Sequence, residues 1–308
     1  MPERHLFTMT EWKYLSEPDY RIALWRNTIQ LFHEYIRSNF IGPFKAAGFN
    51  YKVDLPFLTR QGEPRKPDII ASGETGWMVL ELTANQKSKE SQLDKYRNID
   101  PRYLGNYGLF PHESPPDVIS SRFDFVDDGS FCQIFVKDFF NLKNEEQIEN
   151  QHLKTELIKA KEMGLDLRKL PEIPITLLPE MKNQQEIRRG LIEIVMQLFA
   201  PNSVGKTPVQ MVDEGLERLI DKIGIPEKHA LMDRVKYQMD ILIDNHLSGY
   251  LELKDNTYRA TDKFKQHHKT LEFVASRLKE WAGPSPQTTL YKWETEGREA
   301  GNSAGRRD

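Results

Sequence analysis

Asp68 follows Pro67 and opens the apolar run Ile69-Ile70-Ala71, and Glu81 closes the run Trp77-Met78-Val79-Leu80 after the turn Ser72-Gly73-Glu74-Thr75-Gly76. Two apolar runs joined by a glycine-containing turn predict an antiparallel hairpin, which brings both acids to the same end of a sheet. Paired carboxylates are hard oxygen ligands that suit Mg²⁺ or Mn²⁺. Such an ion brings a water and a phosphodiester together and offsets the charge that develops. Phosphodiester hydrolysis is the reaction class expected.

Downstream, Gln92 and Tyr96 are four residues apart and therefore share one face of a helix, with Lys89 on the same face. Lys87 lies in the turn before that helix. Together these residues resemble the PD-(D/E)XK nuclease superfamily, whose pattern is Pro-Asp on one strand and Asp/Glu-x-Lys on the next. Gln92-Leu-Asp-Lys-Tyr96 matches the QxxxY motif that several members carry on the following helix. The order of elements also agrees: a helix from Ile22 to Ser38, a strand from Phe49 to Leu58, the two acid-bearing strands, then the Gln92/Tyr96 helix.

The resemblance implies that Asp68, Glu81 and the carbonyl of Leu82 hold the metal, and that Gln92 and Tyr96 position the strand or the helix. Glu34, expected in the first helix, is a candidate for the extra acid that some members add. One departure is plain, because Thr83 stands where the pattern has lysine. Lys87 and Lys89 are the two alternatives for the missing amine, which orients the attacking water and stabilises the pentavalent phosphorus. Thr83 also fits a nuclease relic that binds DNA or a partner without cutting. Retention of both acids favours activity, since two unpaired buried carboxylates repel each other unless a cation sits between them.

With 308 residues, the chain predicts two modest domains. A hydrophobic content of 38% with mean hydropathy −0.63 permits small cores. Net charge of −3 means that any DNA contact must come from local clusters rather than bulk charge. Cys132 is the only cysteine, so intrachain disulfides and cysteine-type zinc clusters are excluded, and it is expected to pack as a small hydrophobe in the strand Phe131 to Val136. With no membrane-length apolar run and no apolar signal core after Met1, a cytoplasmic protein is expected.

The first domain is expected over 1–142, closing with a hairpin from Asp117 to Phe125, the turn Asp127-Asp128-Gly129-Ser130 and the strand through Val136. Residues 143–183 read as a connecting helix and a proline-rich linker. From Gln184 the apolar spacing is helical, and Gly249-Tyr-Leu-Glu-Leu-Lys254, Asp255-Asn256 and Thr257-Tyr-Arg-Ala-Thr261 read as a short hairpin. Three helices followed by a hairpin resemble a winged helix-turn-helix over 184–282. That resemblance implies DNA contacts through Arg234, Lys236 and Tyr237 on the third helix and Lys254 and Arg259 on the wing. A role in dimerisation or partner docking is the alternative.

Residues 283–308 are expected to be disordered. Ala200-Pro-Asn-Ser-Val-Gly-Lys206-Thr207 loosely matches a phosphate loop, but it follows a helix rather than a strand and precedes Pro208. The fold class expected is therefore an α/β restriction-endonuclease-like domain, a mixed sheet flanked by helices, followed by a mainly α winged-helix domain. The function expected is a Mg²⁺- or Mn²⁺-dependent DNA endonuclease of the kind used in restriction, anti-phage defence or mobile-element processing.

Overall fold

A computed structural model describes residues 17–35, 40–83, 90–125, 130–200, 203–265 and 270–283. The described chain divides into two compact units, one formed by 21–180 and 216–230 and the other by 181–215 and 231–283 with 17–20.

Helix α1 (Glu17–Gln30) buries Leu24, Trp25 and Ile29. It ends eight residues before the expected Ser38, because Leu31, Phe32 and His33 donate to the carbonyls of Thr28, Ile29 and Gln30 and tighten the last turn. The chain then forms a ribbon of β1 (Glu34–Tyr35) and β2 (Phe40–Ile41). Glu34 is thus an exposed strand residue, not a helical acid. Short helix α2 (Pro43–Ala46) leads into β3 (Asn50–Val53), and Asp54, at φ 51°, breaks the strand that was expected to run on to Leu58. A separate ribbon pairs β4 (Phe57–Leu58) with β5 (Pro64–Arg65).

The expected hairpin forms from β6 (Ile69–Gly73) and β7 (Gly76–Leu82), pairing Ile69 with Leu80 and Gly73 with Gly76. Helix α3 (Glu90–Tyr96) follows, then β8 (Asp117–Arg122), β9 (Cys132–Val136) and β10 (Phe140–Lys143). The result is a mixed six-stranded sheet in the order β10-β9-β8-β7-β6-β3, flanked by helices. Here the Asp117–Phe125 hairpin expectation fails, because β8 and β9 are parallel. Both strands are buried on both faces, the pattern of parallel rather than half-solvated antiparallel strands. The turn Asp127–Gly129 lies outside the described residues. Cys132 is fully buried in β9, where burial pushes its thiol pKa up.

The supposed linker belongs to this same unit. Helix α4 (Gln151–Glu162), capped by the Asn150 side chain, buries Leu153, Leu157 and Ala160 and packs on α2 and β10. Asp117 anchors its start by accepting from the backbone N–H groups of Glu149 and Asn150 at 2.7 and 3.2 Å. Beyond it, Ile173, Ile175 and Leu177 are buried in an extended segment, and Arg26 of α1 donates twice to the Ile175 carbonyl. The prolines remove donors without preventing alternate apolar residues from packing.

The other unit is mainly helical. It contains α5 (Gln184–Leu198), α6 (Pro208–Leu216), most of α7 (Ile225–Asn245), the hairpin β11 (Leu251–Lys254) and β12 (Thr257–Ala260), α8 (Asp262–Lys265) and α9 (Thr270–Ala282). The predicted α5 stripe of Ile187, Leu191, Ile194, Val195 and Leu198 is buried. Asp255 and Asn256 both adopt positive φ, 51° and 57°, as a two-residue hairpin turn demands. No helix among the described residues is long and apolar enough to cross a membrane.

Candidate functional site

The register of the sheet assembles one polar row. Val53 pairs with Ile69 and Ile69 with Leu80, so the next position aligns Asp54, Asp68 and Glu81. Glu81 is paired with Ser120, Ser120 with Gln133, and Gln133 with Lys143. Residues directly opposite one another project from the same face. The row one step earlier on that face is Lys52, Ile70, Val79, Val118 and Phe131, of which the last four belong to the core cluster packed around Leu93 and Tyr96 of α3. An apolar floor thus gives way to polar groups where the parallel strands end, the usual place for a site in a sheet of this kind.

Glu81 is held from α3. Gln92 Nε2 donates to its Oε1 at 2.9 Å and Tyr96 OH donates to its Oε2 at 2.9 Å, while Gln92 also donates to Tyr96 OH at 2.7 Å. The four-residue spacing predicted from sequence is what lets both side chains reach one carboxylate. Burial and the neighbouring charge of Glu81 push the Tyr96 pKa upward, so the phenol stays protonated and remains a donor. Asp68, also felt by Tyr96, accepts from the backbone N–H of Leu82 at 2.7 Å. The N–H and C=O of one strand residue point to the same side, so the Leu82 carbonyl faces the same edge of β7 as its N–H.

Thr83, at the position of the expected lysine, is buried and hydrogen-bonds through Oγ1 to Ser120 Oγ at 3.1 Å. Lys87 and Lys89 lie outside the described residues. Two residues that sequence reasoning missed stand beside the acids. Arg122, 2% exposed, follows Ser120 on the same face of β8 and donates from Nε to Ser120 Oγ at 3.2 Å. Its sequence signal was a basic residue closing the strand Asp117-Val-Ile-Ser-Ser-Arg122. Glu180, from the supposed linker, lines a small cleft with Asp68, Leu82, Arg21, Leu24 and Trp25. Arg21 and Trp25 both donate to its Oε1, at 3.0 and 2.9 Å, whereas its buried Oε2 has no hydrogen-bond partner among the described residues. Burial raises its pKa against the opposing pull of Arg21. No spacing in the sequence announced it.

The donor set fits a hard divalent cation in part. Among the described residues no three acidic, histidine or cysteine side chains form a ready-made metal cage. Two carboxylates, Asp68 and Glu81, with the Leu82 carbonyl are nevertheless what Mg²⁺ commonly takes from protein, since it retains several waters. A carboxylate has about four lone-pair sites, so the two bonds to Glu81 leave capacity for a ligand bond.

In the mainly helical unit, Tyr237 is 55% exposed on α7 and shares a face with Arg234 three residues earlier, while Lys236 is half-buried beside them. Lys254 is exposed next to the hairpin turn, and Arg259 is paired across the strands with Glu252 at 2.8 Å. Lys206 is absorbed into the fold: its backbone pairs with Tyr258 in both directions at 2.9 Å, and its Nζ bonds Gln197 and Glu214. The phosphate-loop resemblance therefore ends in an isolated structural bridge to Tyr258. Comparison with protein-family models, with curated proteins and with solved structures finds no match for this chain.

Proposed function

We propose that this chain is a metal-dependent DNA endonuclease whose acid pair, Asp68 and Glu81, lies in a restriction-endonuclease-like sheet. The observation that carries the proposal is Glu81 gripped by Gln92 and Tyr96 in register with Asp68. Asp68, Glu81 and the Leu82 carbonyl would hold Mg²⁺ or Mn²⁺, which when bound supplies a polarised water and offsets charge at the phosphate. Gln92 and Tyr96 fix the orientation of the Glu81 carboxylate. Arg122, buried one row beyond Glu81, supports the developing negative charge where Thr83 provides no amine, alongside Lys87 or Lys89.

The mainly helical unit supports DNA binding by its order of elements. Helix α5, the strand position at Lys206, helices α6 and α7 and the β11–β12 hairpin follow one another as in a winged helix. On this reading Arg234, Lys236 and Tyr237 face DNA, with Lys254 and Arg259 on the wing. A protein partner or a second copy of the chain is the other use of such a surface.

A second reading has its own support. Thr83 is buried and hydrogen-bonded, and no three-ligand cage exists among the described residues, both of which suit an inactive nuclease-like scaffold that binds DNA. Incubating plasmid and linear DNA with Mg²⁺ or Mn²⁺ separates the two. Cleavage by the wild type that disappears in both Asp68→Ala and Glu81→Ala supports the enzyme, and variants that cut as well as wild type sink it.

A further inference from the structure

Away from the acid row, the edge of the sheet carries a cluster of cations around a buried aromatic shelf, all within one unit. Phe32 stacks on Phe44 at 4.5 Å and meets Tyr51 at 4.6 Å between ring centroids. Tyr51 OH bonds His33 Nε2 at 3.2 Å, and Lys222 Nζ lies 5.0 Å over the Tyr51 ring. The segment 216–223 is laid along edge strand β3: Val53 N–H donates to the Lys222 carbonyl at 2.9 Å, and Lys52 Nζ donates to the Asp221 carbonyl at 2.8 Å. Within it, Glu217 adopts φ 47°, a left-handed conformation unusual for a glutamate, at the start of the short turn that presents Arg218.

Lys45, Lys52, Arg218 and Lys222 form no ion pair among the described residues, unlike Lys66, which meets Asp54 at 2.8 Å, and Arg21, which meets Glu180 at 3.0 Å. The charges that shift His33 are Arg218, Lys222 and Lys45, with no acid among them. Burial leads that shift, and the cations add to it. Asp221 acts on Lys222 against Lys52 and Lys45, so cations outnumber acids here in a chain of net charge −3.

We propose that Lys45, Lys52, Arg218 and Lys222, set around the Phe32–Phe44–Tyr51 shelf, form a binding surface for the phosphate backbone of duplex DNA. Cations gathered without ion pairs among the described residues repel one another unless a polyanion is brought to them, and phosphate contacts of this type fix position without reading sequence. Lys52 stands two strand positions, about 7 Å, from Asp54, the near end of the row that continues through Asp68 to Glu81. A backbone held on the edge strand thereby leads toward the acid row. This choice of DNA as occupant rests on the endonuclease reading, while the cluster itself does not.

The test measures binding alone, in the Asp68→Ala background with chelator and no metal, so that loss of catalysis cannot imitate its failure. A fluorescent duplex of random sequence is titrated from about 50 to 200 mM salt. Lys45→Glu/Arg218→Glu changes two exposed side chains, and Lys159→Glu/Lys169→Glu makes the same net charge change outside the patch. Removing two phosphate contacts should flatten the log–log salt slope by about 1.8 and weaken binding at low salt at least about tenfold, with the control near wild type. The milder Lys45→Gln/Arg218→Gln should fall between them, and unfolding midpoints should match throughout. Equal losses in patch and control variants, or none in either, overturn the proposal. So does a patch variant that keeps DNA affinity while losing anionic phosphatidylserine vesicles, which would assign the cations to a membrane surface.

Discussion

Two regions of the same sheet treat charge in opposite ways. At the ends of β6, β7 and β8, Glu81, Asp68 and Arg122 are largely withdrawn from water and held by Gln92, Tyr96, the Leu82 N–H and Ser120. At edge strand β3, Lys45, Lys52, Arg218 and Lys222 form no ion pair among the described residues, and Lys45 and Arg218 are exposed. Buried charge is tolerated only where geometry satisfies it, so it is fixed in direction and suited to chemistry. Solvated charge costs little, is aimed loosely, and suits attraction of a large anion.

Breaking the buried region should have the larger consequence. Glu81→Gln keeps the size of the side chain but removes its charge, and cleavage in Mg²⁺ or Mn²⁺ should fall by about 10²–10³-fold or more with DNA affinity little changed. A Glu81→Gln protein that cuts at wild-type rate would remove the acid row from the chemistry. Arg122→Gln should lower the cleavage rate by about 10²-fold, with Arg122→Lys recovering part of it. If Arg122→Gln unfolds the protein and Arg122→Lys is no more active than Arg122→Ala, the arginine is structural and the amine must come from Lys87 or Lys89.

The difference between the regions also explains what could be read from sequence. The Asp68/Glu81 hairpin and the Gln92/Tyr96 pair were legible because their geometry is local, depending on the two-residue turn Glu74-Thr75 and one turn of helix. Arg122 and Glu180 reach the same place through a parallel neighbour and a strand-like segment about a hundred residues later. Neither relation has a fixed spacing. The cation patch joins α2, β3 and residues 216–223, and it was hidden for the same reason. Lys206 shows the converse, a loose motif match whose backbone is consumed by pairing with Tyr258. Glu34 was expected in a helix running to Ser38, whereas the chain tightens after Gln30 and turns back as a ribbon.

A smaller effect should separate holding from reacting within the buried region. Tyr96→Phe removes the hydroxyl that serves Glu81 Oε2 and Gln92 Nε2 while leaving the ring in the core. The cost should be about 1–3 kcal/mol of unfolding free energy, because a buried carboxylate oxygen loses a donor. Denaturant unfolding measures it. A variant as stable as wild type would mean that the Tyr96 bond is replaced without loss, and that Glu81 is less constrained than its partners suggest.

The smallest effect belongs to the exposed region and reads its field directly. His33 titrates near pH 4 rather than 6.5, through burial first and then through Arg218, Lys222 and Lys45. Because the folded pKa lies below the unfolded one, the unfolded chain takes up the proton first as pH falls. Stability from this group is thus complete above about pH 6.5 and is lost on the way down to about pH 4. With a half-exposed ring and solvent screening the loss should amount to about 1–2 kcal/mol, and His33→Gln should flatten that part of the stability profile. Arg218→Glu replaces one repelling charge with an attracting one, so the imidazole pKa followed by NMR should move back toward its ordinary value. An unchanged pKa in that variant would mean that burial alone sets the shift, and the patch would lose the positive field on which its attraction for phosphate depends.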